Sequence, residues 1–134
     1  MTLRLLAGYA TALAVLAALD AVWLGWVARD FYREGIGHLM RDSGFRIGPA
    51  LAFYLLFPLG LMIFAVQPAL AEGSLLRAAL LGALFGFFCY ATYDLSNFAT
   101  LRDWPLRVTL VDIAWGTLAG ALVATAAAWA ASRF

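Results

Sequence analysis

Residues 5–28 read LLAGYATALAVLAALDAVWLGWVA, an apolar run whose single charge is Asp20. At 1.5 Å per residue it makes roughly 36 Å of helix, enough to cross a bilayer with some tilt. Arg4 followed by leucines and alanines resembles a secretory signal. The run, however, continues through Trp23, Trp26 and Val27, beyond the ~7–15 residues of a signal's apolar segment. It reads as a retained transmembrane helix, and the rest of the chain follows suit.

The 134 residues are 65% hydrophobic and 13% charged, with a mean hydropathy of +0.88, where a soluble domain is about half apolar and a quarter charged. So few polar residues cannot cover the surface of a small soluble fold, so the apolar excess needs lipid as its solvent. Further apolar runs occupy about 48–71, 77–100 and 105–131, which with 5–28 predict a single all-α domain, an integral membrane bundle of four transmembrane helices. Pro58 falls inside the second run and frees the Tyr54 carbonyl, predicting a kink near Phe57. Gly82-x-x-x-Gly86 and Gly116-x-x-x-Gly120 predict close contacts between helices or between subunits. Asp103-Trp104-Pro105 reads as a cap and first turn for the last helix. Trp26, Trp104 and Trp129 read as interface-belt residues. The polar stretch from Arg29 to Arg46 is either an amphipathic strip on the membrane surface or a solvated loop.

Residue counts exclude several chemistries. All nine basic residues are arginine, and without lysine no Schiff base to retinal or pyridoxal can form. His38 is the only histidine, and Cys89, the only cysteine, reads as a small buried hydrophobe. No disulfide, redox pair or thiolate metal site can therefore be built within the chain. No cofactor motif and no metal-ligand motif appears, and a net charge of +1 without interleaved aromatic and basic residues argues against nucleic acid as a partner. Arg29, Arg33, Arg41, Arg46, Arg102 and Arg107 fall in the first and third loops. Arg4, Arg77 and Arg133 fall on the other side, so the positive-inside rule places both termini away from the cytoplasm of a bacterial inner membrane.

Three acids lie inside the spans: Asp20, Asp94 and Asp112. Each costs about 2.5–3.5 kcal/mol at mid-bilayer unless paired, protonated or hydrated. Counted from the flanking arginines, they lie roughly 13, 12 and 7.5 Å below one surface, so all three share a leaflet and are expected to converge on one pocket opening toward the first and third loops. Asp20-x-x-Trp23, Asp94-x-x-Asn97 and Asp112-x-x-Trp115 each place a hydrogen-bonding side chain one turn along on the acid's own face. Tyr93, Thr100 and Thr109 add hydroxyls, and Arg102 or Arg107 are within reach as counter-charges. The candidate ligand-binding set is Asp20, Trp23, Tyr93, Asp94, Asn97, Asp112 and Trp115.

The blocks Leu19-Asp20-Ala21-Val22-Trp23-Leu24, Tyr93-Asp94-Leu95-Ser96-Asn97-Phe98-Ala99-Thr100 and Val111-Asp112-Ile113-Ala114-Trp115-Gly116-Thr117 resemble the signature segments of a bacterial family of uncharacterised membrane proteins, DUF2177. The resemblance covers essentially the whole chain. It implies a four-helix membrane protein with these same Asp, Asn and Trp positions, and it implies no reaction. From the residues themselves, the leading expectation is a pocket that binds or transports a cation, a proton or a small cationic ligand. A membrane-embedded enzyme or accessory factor acting on lipid is one alternative, and a structural subunit of a larger membrane complex is another. Membrane lipids, with a homo-oligomer or a larger membrane complex, are the expected partners.

Overall fold

The structure, a computed structural model, describes residues 2–134. Its four long helices are α1 (Thr2–Val27), α3 (Ile47–Glu72), α4 (Leu75–Thr100) and α5 (Leu106–Ala131), each apolar and long enough to cross a membrane. A shorter helix, α2 (Arg29–Ile36), follows α1, and no strand occurs among the described residues. The chain is thus an all-α bundle with four candidate spans, as its apolar runs predict.

Side chains explain where the helices start and stop. Glu72-Gly73-Ser74 makes the tight turn between α3 and α4: Gly73 takes φ +63°, a left-handed conformation natural to glycine. The Ser74 hydroxyl then caps α4 by accepting from the Arg77 amide at 3.1 Å. The last helix begins at Leu106, with Pro105 just outside it and no side-chain cap, so Asp103 is not the capping residue its position suggests. Instead Asp103 lies 3.8 Å from His38 Nε2.

Two spans change their winding. In α1 the α-helix gives way to a π-helical turn over Trp23–Val27, and in α3 to another over Met62–Val66. The second lies just beyond Pro58, through which α3 stays α-helical, so the winding changes one turn after the position where the proline predicts a kink. Both turns widen the helix locally, a device common beside functional sites.

The tightest seam is between α4 and α5. A Cβ on Gly82 would strike the Gly120 carbonyl, one on Gly86 the Gly116 carbonyl, and one on Gly120 the Gly82 carbonyl. The two glycine pairs therefore serve a contact between helices within one chain, where the backbones meet with no side chain between them. Around this seam the core is built from small residues of α5, including Ala124, Ala127 and Ala128, packed on Leu16, Leu61 and Val66. Leucines and phenylalanines such as Leu6, Leu56, Leu80, Phe64 and Phe88 point outward, as lipid-facing side chains must.

The polar stretch resolves into the amphipathic α2 and a 3-10 turn over Gly37–Leu39. Its inner face buries Tyr32 and Gly35. A Cβ on Gly35 would collide with Val108, so glycine is what allows α2 to lie against α5. Ala28, Tyr32, Trp104 and Val108 form a small core there. Trp104 is only 7% exposed and is no belt residue, because α2 covers it, whereas Trp26 and Trp129 do face outward. Cys89 is likewise exposed rather than buried, since it lies on the face of α4 that turns toward a cavity and the lipid.

Candidate functional site

The three acids of the candidate spans occupy two arrangements. Asp20, near the end of α1, is 5% exposed and has two donors: the Tyr54 hydroxyl to Oδ2 at 2.7 Å and Trp115 Nε1 to Oδ1 at 3.2 Å. Asp112 on α5 accepts from the Tyr32 hydroxyl at 2.6 Å, and that hydroxyl in turn accepts from Trp23 Nε1 at 3.1 Å. The Asp94 carboxyl on α4 faces that of Asp112. Asp94 is wholly buried, and neither of its oxygens has a donor.

The pairing crosses between helices rather than running along them. Trp23 and Trp115 stack with ring centroids 4.5 Å apart and planes 3° from parallel. Each indole lies in the seam between α1 and α5, so its N–H meets a group off its own helix: Trp115 serves Asp20, and Trp23 serves Asp112 through Tyr32. Spacing within one helix shows only that acid and tryptophan share a face; the stack turns each N–H away from its neighbour one turn back. The π-helical turn starts at Trp23 itself, where the indole leaves α1.

Asn97 is half-buried and gives Asp94 no hydrogen bond. The Thr100 and Thr109 hydroxyls bond back to their own helices, to the carbonyls of Ser96 and Pro105, and contribute nothing to the acids. Arg107 sits over the Phe31 ring at 5.5 Å, and neither it nor Arg102 lines either of the two cavities beside the acids.

Two cavities adjoin the acids. The larger, about 820 Å³, has aromatic walls of Phe53, Tyr54, Phe57, Tyr90 and Trp115, with Asp20 and Asp112 as its carboxylates. The smaller, about 550 Å³, lies beneath α2 and is lined by Arg29, Tyr32, Arg33, Tyr93, Trp104 and Asp112, among others. Leu24, Tyr93 and Asp112 belong to both, so Asp112 stands at their junction with Asp94 behind it. Among the described residues no three His, Cys, Asp or Glu side chains converge as a metal site requires.

Tyr32, Tyr54, Arg29 and Arg33 are site residues that sequence reasoning missed. Tyr32 lies in the polar stretch, outside any span; its burial, and then its bond to Asp112, push its hydroxyl above the ordinary tyrosine range. It therefore stays a donor throughout the physiological range. Tyr54 sits in an unbroken apolar run with nothing local to mark it. The one available signal was α2's spacing, which puts Arg29 and Arg33 one turn apart.

The family model described as "Predicted membrane protein (DUF2177)" matches residues 5–129. No curated protein matches the chain, and no solved structure does.

Proposed function

Because the chain belongs to the DUF2177 family of membrane proteins, we propose that its pocket works inside a bacterial inner membrane, where it binds a small organic cation. The ligand's ammonium group lies against Asp112 and its apolar parts against the aromatic walls. One observation carries this reading. Asp94 is buried without a single hydrogen-bond donor and faces another carboxyl. An acid that merely fixes helix register has its donors, as Asp20 does. A buried acid with none is costly, and two facing carboxyl groups need a proton or a cation between them.

The rest of the pocket suits the same ligand. Aromatic faces attract ammonium groups more strongly once water is excluded, and about 820 Å³ falls within the usual ~300–1,000 Å³ of ligand pockets. A dehydrated divalent metal has no third acid to bind it. A bound cation and a proton on the Asp94–Asp112 pair compete, which is the minimum a proton-coupled carrier needs. The arginines of the first and third loops support a mouth on the cytoplasmic side.

The test is thermal unfolding of the full chain in non-ionic detergent with tetraethylammonium, choline and sodium as probes, in wild type, Asp112→Asn and Asp20→Asn. Binding to the folded state alone raises the melting temperature. A rise with the organic cations that sodium does not reproduce, and that Asp112→Asn removes, supports the reading. Equal responses in wild type and Asp112→Asn would overturn it.

A further inference from the structure

The smaller cavity carries a charge pattern that a cation alone leaves unexplained. Arg29 and Arg33 lie one turn apart on α2 and both line it. Among the described residues neither has an ion-pair partner, since the two ion pairs present are His38 with Asp103 and Arg77 with Glu72. Trp104 lines the same cavity, is 7% exposed, and its indole Nε1 is buried without an acceptor. Two guanidinium groups and an unmatched N–H make a donor-rich wall, and its natural complement is an oxyanion. Asp112 is the one carboxylate among its lining residues.

We propose that the smaller cavity is a subsite for the phosphodiester of a membrane phospholipid, held by Arg29, Arg33 and Trp104, with the apolar larger cavity receiving an acyl chain. Position favours a lipid over a free anion. The helix α2 follows directly on the first span, at headgroup level, where arginines meet phosphate. Leu24 and Tyr93 line both cavities, so a headgroup beneath α2 continues into the apolar chamber whose walls include Leu56 and Phe53, both lipid-facing. Joined to the cation reading of Asp112, on which this last step alone rests, the preferred headgroup carries an ammonium beside its phosphate.

The experiment titrates the full chain in non-ionic detergent with dihexanoyl phosphatidylethanolamine, dihexanoyl phosphatidylglycerol, dihexanoylglycerol and inorganic phosphate. It reads the melting temperature of wild type, of the double variant Arg29→Gln/Arg33→Gln, of Trp104→Phe and of Asp112→Asn. Both phospholipids are expected to stabilise wild type at concentrations roughly tenfold below dihexanoylglycerol, and the double variant to lose that advantage. The two arginines are exposed, so removing them leaves the core intact; Trp104→Phe keeps the ring packing, removes the N–H and is expected to weaken both phospholipids alike. Asp112→Asn is expected to abolish only the preference for phosphatidylethanolamine over phosphatidylglycerol. Equal stabilisation by dihexanoylglycerol, or wild-type affinity in the double variant, would overturn the phosphate subsite; saturation by inorganic phosphate with no response to the phospholipids would overturn the lipid assignment. A phospholipid response without a tetraethylammonium response sinks the cation reading alone, and the reverse sinks the subsite alone.

Discussion

The Tyr32 hydroxyl donates to Asp112 Oδ1 at 2.6 Å across 80 residues of sequence. This bond ties the short surface helix to the last span, and the Tyr32 hydroxyl oxygen itself accepts from Trp23 Nε1. Tyr32→Phe leaves both a carboxylate and an indole N–H short of a partner, at an expected cost of about 1–3 kcal/mol. Unfolding in mixed micelles measures the loss. Faster tryptic cleavage at Arg29 and Arg33 is expected beside it, because α2 has lost its anchor; cleavage at the wild-type rate would show that the small apolar core holds α2 alone.

The raised proton affinity of Tyr32 gives a second outcome in alkali. The folded state keeps this phenolic proton past the ordinary value of about 10, while the unfolded chain releases it there. Above that pH the folded state therefore binds more protons, and the contribution to stability falls as pH rises. Tyr32→Phe should make the alkaline loss of stability shallower while leaving the amplitude of phenolate absorption near pH 10 unchanged in the folded protein.

Asp20 and Asp94 should respond differently to amide substitution. Asp20 has a donor on each oxygen, so Asp20→Asn, which turns an amide nitrogen toward one of them, costs about 1–3 kcal/mol and leaves the response to organic cations in place. Asp94 has no donor to lose, so Asp94→Asn is expected to fold at least as stably as wild type and to respond less to cations. A destabilised Asp94→Asn with a wild-type cation response would make Asp94 structural.

The Trp23–Trp115 stack predicts a spectroscopic signature. Two parallel indoles 4.5 Å apart couple their excited states, so a paired band is expected in the circular dichroism of wild type. Trp23→Phe and Trp115→Phe should each remove the same band, at a cost of about 0.5–1.5 kcal/mol for the stacking. Trp26→Phe, which alters an exposed ring, should leave the band untouched.

Glycine substitutions separate the α4–α5 seam from open positions. Gly86→Ala forces a Cβ against the Gly116 carbonyl, backbone that has no rotamer to yield, whereas a Cβ on Gly48 meets nothing within 4 Å. Loss of roughly 1–3 kcal/mol or more is expected for the first and almost none for the second, read by unfolding in micelles.

The spans were legible because lipid demands long apolar helices, and each predicted run matches an observed helix to within about three residues. The Gly82/Gly86 and Gly116/Gly120 seam was legible for a related reason, since four-residue spacing fixes a helix face before any partner is known. Asp20, Asp94 and Asp112 stood out because charge is rare in such runs, but their partners did not. Periodicity along one helix cannot show that the Trp23 and Trp115 rings stack across a seam and exchange donors. Nor does anything local in the run around Tyr54 announce a hydroxyl aimed at Asp20. Trp104 was misread for the converse reason: a tryptophan beside a helix start resembles a belt residue until α2 is seen folding over it.

The donors of Asp20 lie 34 and 95 residues downstream of it, and this sets an order of events during synthesis. When the first span leaves the ribosome its acid has neither donor; the first arrives with α3 and the second only with α5. The amino-terminal helix must therefore wait at the insertion machinery or in the bilayer with an unpaired carboxyl, and the chain becomes fully self-sufficient only once its final helix has been made. Nascent chains truncated before Trp115 are consequently the ones a membrane quality-control protease should find.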